Sequence, residues 1–184
     1  MTDELNILLQ GCIKYDRLSQ EKLYRQLYPA LFVLCCKFFD DEHDILTALN
    51  NGMLQVFNNI EKFDAAKGDL KGWVYIIVRN AAVSLVRSKN AKPTTQELTK
   101  ELQVEVSVNP FKGESDENVI SYLKNLTTTT RAVFNLFYIE GLLIKEIAIC
   151  LDMKEGTVKW HLSDGRNKLK TLVNSSVKNT VYAK

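Results

Sequence analysis

Long apolar runs are missing from this sequence of 184 residues. No run approaches the roughly 20 residues that a helix needs to span a bilayer. The N-terminal stretch MTDELNILLQ is acidic, whereas a secretory signal peptide begins with basic residues. We therefore expect no membrane insertion and no export, and the sequence predicts a cytoplasmic protein.

Catalytic and metal-binding patterns are also missing. The sequence shows no His/Asp/Ser constellation and no glycine-rich loop for phosphate. Its two histidines lie far apart, and its four cysteines show neither CxxC nor Cys/His ligand spacing: Cys12, Cys35, Cys36 and Cys150. We expect buried, reduced thiols, no metal, no cofactor and no enzymatic activity.

Strand patterns are missing as well, because no sustained alternation of apolar and polar residues occurs. Helical spacing is found throughout instead. One apolar stripe, for example, comprises Ile45, Leu49, Met53, Val56 and Ile60. The pattern predicts a protein built from helices alone.

Local signals mark where several helices begin and end. Ser19 precedes an amphipathic helical run that Pro29 should kink or restart. Ser115 is a predicted N-cap and Gly141 a predicted C-cap.

Residues 91–114 contain two prolines and little periodicity, which is typical of a linker. The sequence therefore predicts an all-α fold in which two small helical domains are joined by a flexible linker. We place the first domain at 1–90, the linker at 91–117, the second domain at 118–175 and a tail at 176–184.

The net charge of +2 is unevenly distributed. Residues 71–90 carry +4 and residues 119–184 carry +5, whereas residues 1–70 carry −4 and residues 91–118 carry −3. Two basic blocks separated by an acidic stretch indicate two polyanion-facing surfaces on separate units.

The second basic block contains a short apolar helix, a tight turn and a longer basic helix, which is the order of a helix-turn-helix. Val158 and Leu162 should dock the longer helix, and small Ala148 should permit a close crossing. Lys and Arg contact guanine edges or phosphates, and an aromatic ring can touch a thymine methyl. Five residues are left to meet DNA: Thr157, Lys159, Trp160, Ser163 and Arg166. A helical hairpin with a basic outer face is the alternative.

The first basic block contains an apolar helix with one polar stripe, formed by Asn80, Ser84, Arg87 and Ser88. Amide and basic groups beside Trp73 suit a nucleic acid with exposed bases. A core helix with a solvated edge explains the same pattern, and the residues alone do not separate the two.

Three stretches carry a resemblance to a known family. FDAAKGDLKGWVYIIVRNAAV resembles the run F-D…G-x-[FL]-x-x-W-[LV]-x-x-I-x-x-N-x-A, and EGLLIKEIA followed by EGTVKWHL resembles the helix-turn-helix of the same family. In this order, with a linker between them, the stretches resemble an extracytoplasmic-function (ECF) sigma factor of bacterial RNA polymerase. The resemblance covers most of the chain outside the linker and the extreme termini.

The resemblance implies that the loop Asp64–Asp69 and the helix from Trp73 through Arg87 melt and read the −10 promoter element. In the family, a base of the non-template strand is extruded into a loop pocket. The residues implied for the melted strand are Lys67, Lys71, Trp73, Arg79, Asn80, Ser84 and Arg87.

The resemblance further implies that helix 155–170 reads the −35 element as duplex in the major groove. It implies that the acidic linker threads the active-site cleft and the RNA exit channel of the polymerase. Helix 44–58 would contact the largest polymerase subunit through Asp44, Thr47, Asn50, Asn51 and Leu54. The implied partners are core RNA polymerase, promoter DNA and an anti-sigma factor.

The chain departs from the family pattern at three places. The polymerase-facing helix usually carries an acidic D-x-x-Q-[ED] pattern, which here reads Thr47, Asn50 and Asn51. Trp160 and His161 replace a common Ser-Arg pair, and Asp152 replaces a common turn glycine, although Asp tolerates left-handed geometry. The first two departures bear on polymerase affinity and on the −35 sequence.

Two other classes of protein compete with the sigma factor. A stand-alone helix-turn-helix regulator explains residues 142–170 but leaves residues 71–90 and the linker unexplained. A helical interaction protein without DNA contact, such as an anti-sigma protein or a scaffold, would make both basic helices incidental.

Overall fold

The computed structural model describes residues 3–90, 113 and 115–181. Eight α-helices are found in this part: α1 Asp3–Ile13, α2 Arg17–Cys36, α3 Glu42–Asn59, α4 Leu70–Asn90, α5 Asp116–Leu123, α6 Thr128–Phe134, α7 Ile144–Leu151 and α8 Glu155–Val181. A 3₁₀ turn, Ile60–Lys62, follows α3, and a π-helical turn, Asn135–Ile139, follows α6. The described residues form no strand, and the predicted all-α fold is confirmed.

Close packing divides the described residues into two compact units. The first takes its residues from Met1–Cys36 and Asp40–Leu85, and the second from Lys37–Phe39 and Val86–Lys184. The domain boundaries expected at 90, 117 and 175 stay a prediction, and most of the expected linker lies outside the described residues. Among the helices that are described, none is long and apolar enough to cross a membrane.

The core of the first unit forms where α2, α3 and α4 bury their apolar stripes. Leu23 of α2, Leu49 of α3 and Val74 of α4 are fully buried. Helices α3 and α4 approach closely at Gly52, where a Cβ atom would stand 2.7 Å from the Cα of Val78. A larger residue at 52 would therefore push the two helices apart.

Helix α2 begins earlier than its apolar pattern predicted, and it does not restart at Pro29. The helix begins at Arg17, and Asp16 is its cap, because the Asp16 Oδ2 accepts hydrogen bonds from the backbone N (2.9 Å) and the Oγ (2.6 Å) of Ser19. Ser19 therefore lies inside the first turn. The helix also continues through Pro29, whose ring is exposed, since Leu27 and Leu31 on either side are held in the core.

Expected helix ends in the second unit are confirmed. The Ser115 Oγ accepts a hydrogen bond from the backbone N of Asn118 at 3.3 Å, which caps α5. Gly141 has φ +72° after the π-helical turn, where a glycine avoids Cβ strain. Asp152 adopts the left-handed conformation, with φ 52° and ψ 57°, at the end of α7.

The core of the second unit collects apolar side chains from α5, α6, α7 and α8. Leu123, Phe134, Ile147 and Leu162 are fully buried. Helix α8 lies so close to α6 that a Cβ atom at Gly165 would overlap the ring of Phe134. Gly165 therefore sets the distance between the two helices.

The thiols lie partly in the core. Cys12 and Cys35 are buried, whereas Cys36 and Cys150 are half-buried, and none of the four forms a disulfide. Burial raises the pKa of the Cys12 thiol to about 11 and that of Cys35 to about 12. Both thiols are therefore protonated at neutral pH and have little nucleophilic or ligand character.

Gly165→Ala should destabilise the second unit by about 1 to 3 kcal/mol, because the added methyl group overpacks the contact with Phe134. Gly156→Ala on the same helix is the matched control. Its Cβ would meet open space, so better helix propensity should stabilise the protein by up to about 1 kcal/mol. Urea unfolding of both variants measures the two changes, and equal effects of the same sign would contradict the packing argument.

Candidate nucleic-acid interface

A cavity of about 270 Å³ opens in the first unit between the turn after α3 and the first turns of α4. Phe63 and Trp73 line it, with ring centroids 5.6 Å apart and planes inclined at 58°. Lys67 and the carboxylates of Asp64 and Asp69 also line it. The cavity thus combines an aromatic wall with charged groups of both signs.

Backbone contacts of two aspartates shape the turn that forms this cavity. The Asp64 Oδ1 accepts a hydrogen bond from the backbone N of Ala66 at 3.0 Å. Gly68 follows with φ +154°, a conformation that favours glycine. The Asp69 Oδ1 then accepts a hydrogen bond from the backbone N of Gly72 at 2.9 Å and caps the start of α4.

The polar stripe of α4 is exposed, as its spacing indicates. Asn80, Ser84 and Arg87 face solvent, whereas Val74 and Val78 on the opposite side are fully buried. Because a helix rises 1.5 Å per residue, Arg87 lies about 21 Å along the axis from residue 73. The stripe therefore runs away from the cavity along a track suited to an extended ligand.

Only some of the residues expected at the melted strand meet at the cavity. Lys67 and Trp73 line it, and Lys71 is exposed in the first turn of α4. The half-buried Arg79 donates a hydrogen bond from Nη2 to the Asn80 Oδ1 at 3.3 Å. Sequence reasoning missed the wall residue Phe63, although an aromatic residue directly before a polar turn is a usable signal.

The five residues expected to face the polymerase share one face of α3. Asp44 and Thr47 are half-buried, and Asn50 and Asn51 are exposed. The Leu54 side chain, 58% exposed, lies on the same face. The hydroxyl of Tyr24 donates a hydrogen bond to the Asn50 Oδ1 at 2.8 Å, which orients that amide. Apart from Asp44, these five residues are uncharged.

In the second unit, α7 and α8 form the expected helix-turn-helix. Val158 and Leu162 are fully buried and dock α8, and Ala148 is buried on α7. Thr157, Lys159, Trp160 and Ser163 are half-buried. A row of one aromatic and three polar residues follows α8 at three- and four-residue spacing, opposite the buried residues, and comprises Trp160, Ser163, Asn167 and Lys170. We name it the outer row; sequence reasoning missed its exposed members Asn167 and Lys170, which the same spacing indicates.

Arg166 does not lie where the sequence led us to expect it. Its Nε donates a hydrogen bond to the hydroxyl of Tyr138 at 2.7 Å, and its guanidinium carbon lies 5.9 Å from the centre of that ring. Its Nη2 is buried without a hydrogen-bond partner among the described residues. Arg166 lies beside the buried stripe of Leu162 and Leu169. Its side chain therefore turns toward Tyr138 and not toward solvent.

His161 connects α8 to the start of α6. Its Nδ1 lies 2.9 Å from the Oγ1 of Thr130, which in turn accepts a hydrogen bond from the Thr127 hydroxyl at 3.0 Å. Its ring meets the Trp160 ring edge-on, with centroids 4.9 Å apart and planes at 74°. Burial lowers the pKa of His161 to about 4, so its imidazole is neutral at pH 7.

Acid should weaken the second unit through His161. Its pKa is lower in the folded protein than the usual 6.5, so between pH 6.5 and 4 the unfolded chain binds the extra proton. Stability should fall as pH drops through this window, by on the order of 1 to 3 kcal/mol.

The check is urea unfolding between pH 4 and 7, followed by the fluorescence of Trp160 in a Trp73→Phe background. This background leaves Trp160 as the single tryptophan, since the chain has two. The control is His161→Gln, which cannot titrate and should show a shallower pH dependence. Parallel pH curves for the two proteins would contradict the assignment.

This chain is similar to known proteins along most of its length. The family model for sigma-70 region 2 matches residues 23–92, and that for sigma-70 region 4 matches residues 116–169. The ECF RNA polymerase sigma factor SigK of Mycobacterium ulcerans is 23% identical over 95% of this chain and 96% of its own length. SigK of Mycolicibacterium vanbaalenii is 24% identical over 92% and 89%.

Solved structures give a weaker likeness. CnrH in complex with the cytosolic domain of CnrY is 21% identical, covers 94% of this chain and 99% of its own, and has a TM-score of 0.47. The sigma factor RpoE in complex with the anti-sigma factor NepR, from Bartonella quintana, is 17% identical, covers 84% and 96%, and has a TM-score of 0.45.

Proposed function

We propose, for a chain that belongs to the ECF sigma factor family, that it binds core RNA polymerase and directs the polymerase to specific promoters. The observation that carries the proposal is that two candidate nucleic-acid surfaces follow one another along the chain. The region 2 unit has an aromatic cavity, and the region 4 unit after it has a helix-turn-helix. We propose that the protein acts in the cytoplasm and catalyses no reaction itself. An anti-sigma factor is proposed as a further partner.

The cavity beside α4 is the proposed site for one unstacked base of the −10 element. Its volume of about 270 Å³ lies below the roughly 300 to 1,000 Å³ of sites for drug-sized ligands, which suits a single base. Phe63 and Trp73 offer ring faces for stacking, and Lys67 and Asp64 offer a donor and an acceptor for the edge of a base. Asn80, Ser84 and Arg87 then follow the adjoining single strand.

The outer row of α8 is the proposed reader of the −35 element. The major groove of B-DNA is about 12 Å wide and admits one helix. Lys170, and Lys159 beside the row, would contact phosphates or guanine, and Ser163 and Asn167 would hydrogen-bond to base edges. We expect Arg166 to support the helix from inside, because its Nε donates a hydrogen bond to the Tyr138 hydroxyl.

The α3 face is the proposed contact with the largest polymerase subunit. Because Thr47, Asn50, Asn51 and Leu54 carry no charge, binding there rests on apolar burial and hydrogen bonds more than on ion pairs. Salt should weaken such a contact less than it weakens promoter DNA binding. The acidic linker, most of which lies outside the described residues, is proposed to thread the polymerase cleft.

Run-off transcription with core polymerase on genomic fragments tests the proposal. We expect defined transcripts only when the protein is added, and weak binding of the free protein to duplex promoters, because its net charge is only +2. Specific, nanomolar footprints by the free protein would favour a stand-alone regulator. Failure to bind either polymerase or DNA would favour a helical interaction protein.

Two basic residues of α8 should behave differently when replaced by alanine. Lys170→Ala should lower the salt slope of promoter binding by about 1 and leave stability nearly unchanged, because Lys170 is exposed on the outer row. Arg166→Ala should leave the slope unchanged but cost about 1 to 3 kcal/mol, because Tyr138 loses a buried partner.

The salt slope is measured from the affinity of the holoenzyme for promoter DNA between about 50 and 200 mM salt. Stability is measured by urea unfolding of the free protein. A lower salt slope in Arg166→Ala, at unchanged stability, would show that Arg166 faces DNA after all.

A further inference from the structure

We propose that Trp160 distinguishes thymine from the other bases in the duplex element, and that a hydrogen-bonded chain from Thr127 through Thr130 to His161 positions it. The inference rests on the proposed function, because it assigns a base to the helix that reads duplex DNA. Trp160 is the specificity residue in this assignment, and Thr130 and His161 are positioning residues.

Trp160 is the only large apolar side chain of the outer row, which otherwise comprises Ser163, Asn167 and Lys170. Its position on α8 is opposite that of the fully buried Val158. The indole is half-buried. Its ring contacts the imidazole ring of His161, the next residue of the same helix. The ring is therefore held at the surface of α8, outside the apolar core.

The hydrogen-bonded chain fixes the neighbour against which Trp160 rests. Thr130 is 1% exposed and belongs to α6, so it is anchored independently of α8. Its Oγ1 accepts a hydrogen bond from the Thr127 hydroxyl, which leaves its own hydrogen for the His161 Nδ1 at 2.9 Å. We therefore assign the Nε2–H tautomer to His161.

The fixed imidazole limits the orientations open to the indole. The two rings meet edge-on at 74° with centroids 4.9 Å apart, a favourable arrangement for an aromatic pair. A side chain that is already ordered loses less conformational entropy when it binds. Trp160 is thus prepared to make one defined contact, which is what discrimination between bases needs.

Thymine is the base that such a ring fits. In the major groove, every base edge offers polar hydrogen-bonding atoms, and thymine alone adds an apolar C5-methyl group. An indole has one N–H donor and no acceptor, so its other contacts with a base edge are apolar. It carries no charge for a phosphate, and bases within a duplex are stacked and present only their edges.

Replacing single thymine methyl groups tests the assignment directly. The probe is the holoenzyme, formed with core polymerase, on a promoter selected by run-off transcription. Each thymine of the −35 segment is replaced in turn by deoxyuridine, which lacks only the methyl group. We expect one position, or two adjacent positions, to lose about four-fold in affinity with the wild-type protein, as burial of one methyl group implies.

Two variants locate the effect on Trp160. Trp160→Ala should bind thymine and uracil promoters equally at the sensitive position. Lys170→Ala is the control, since loss of a phosphate contact should weaken both promoters alike and keep the four-fold ratio. Because the uracil scan uses the wild-type protein, the proposal stays testable even if Trp160→Ala folds poorly.

Two substitutions at Thr130 test the positioning role. Thr130→Val removes the hydroxyl at nearly constant shape and should reduce the thymine-to-uracil ratio, whereas Thr130→Ser keeps the hydroxyl and should preserve the ratio. In a Trp73→Phe background, the fluorescence anisotropy of Trp160 should fall in Thr130→Val and not in Thr130→Ser. A purely structural role would change overall affinity without changing this ratio.

The outcomes separate the proposals. A promoter without any uracil-sensitive position, or full sensitivity in Trp160→Ala, overturns the assignment of thymine to Trp160. An unchanged ratio in Thr130→Val overturns the positioning chain alone. If no promoter responds to the holoenzyme in the run-off selection, the proposed function fails first and this inference fails with it.

Discussion

Helix-to-helix contact at a glycine governs which surfaces remain for ligands in each unit. Gly165 of α8 rests against the ring of Phe134, and Gly52 of α3 rests against Val78 of α4. At these distances the facing stripes are fully buried and neither helix can rotate about its axis without a clash. The polar stripes of α4 and α8 are therefore held outward as a consequence of packing, before any ligand is present.

The same packing limits how many charges the second unit can offer to DNA. Arg166 is turned inward to Tyr138, and His161 is kept neutral against Thr130. Both side chains support α8 through hydrogen bonds to the helices and turns that precede it. The described basic residues left on its outward side are lysines, which suit phosphates, and base discrimination then depends on the uncharged members of the outer row.

The surface proposed for the first unit differs from that of α8, because a single strand presents the ring faces of its bases as well as their edges. Phe63 and Trp73 come from opposite ends of a turn that Asp64 and Asp69 brace through backbone hydrogen bonds. A braced turn keeps its cavity open without a ligand, which lowers the entropy lost on binding. The α3 face, which carries one charge at Asp44, lies in the same unit, so one small core supports both surfaces proposed for it.

The sequence by itself determined the all-α fold, the helix-turn-helix and the polar stripe of α4, because helical periodicity and local capping involve residues three or four apart. Val158 and Ser115 were both placed correctly on that basis. Only the tertiary structure decided the orientation of Arg166 and the environment of His161, whose partners lie 28 and 31 residues away. No local pattern encodes such contacts, since they exist only after α8 has packed against α6 and the π-helical turn that follows it.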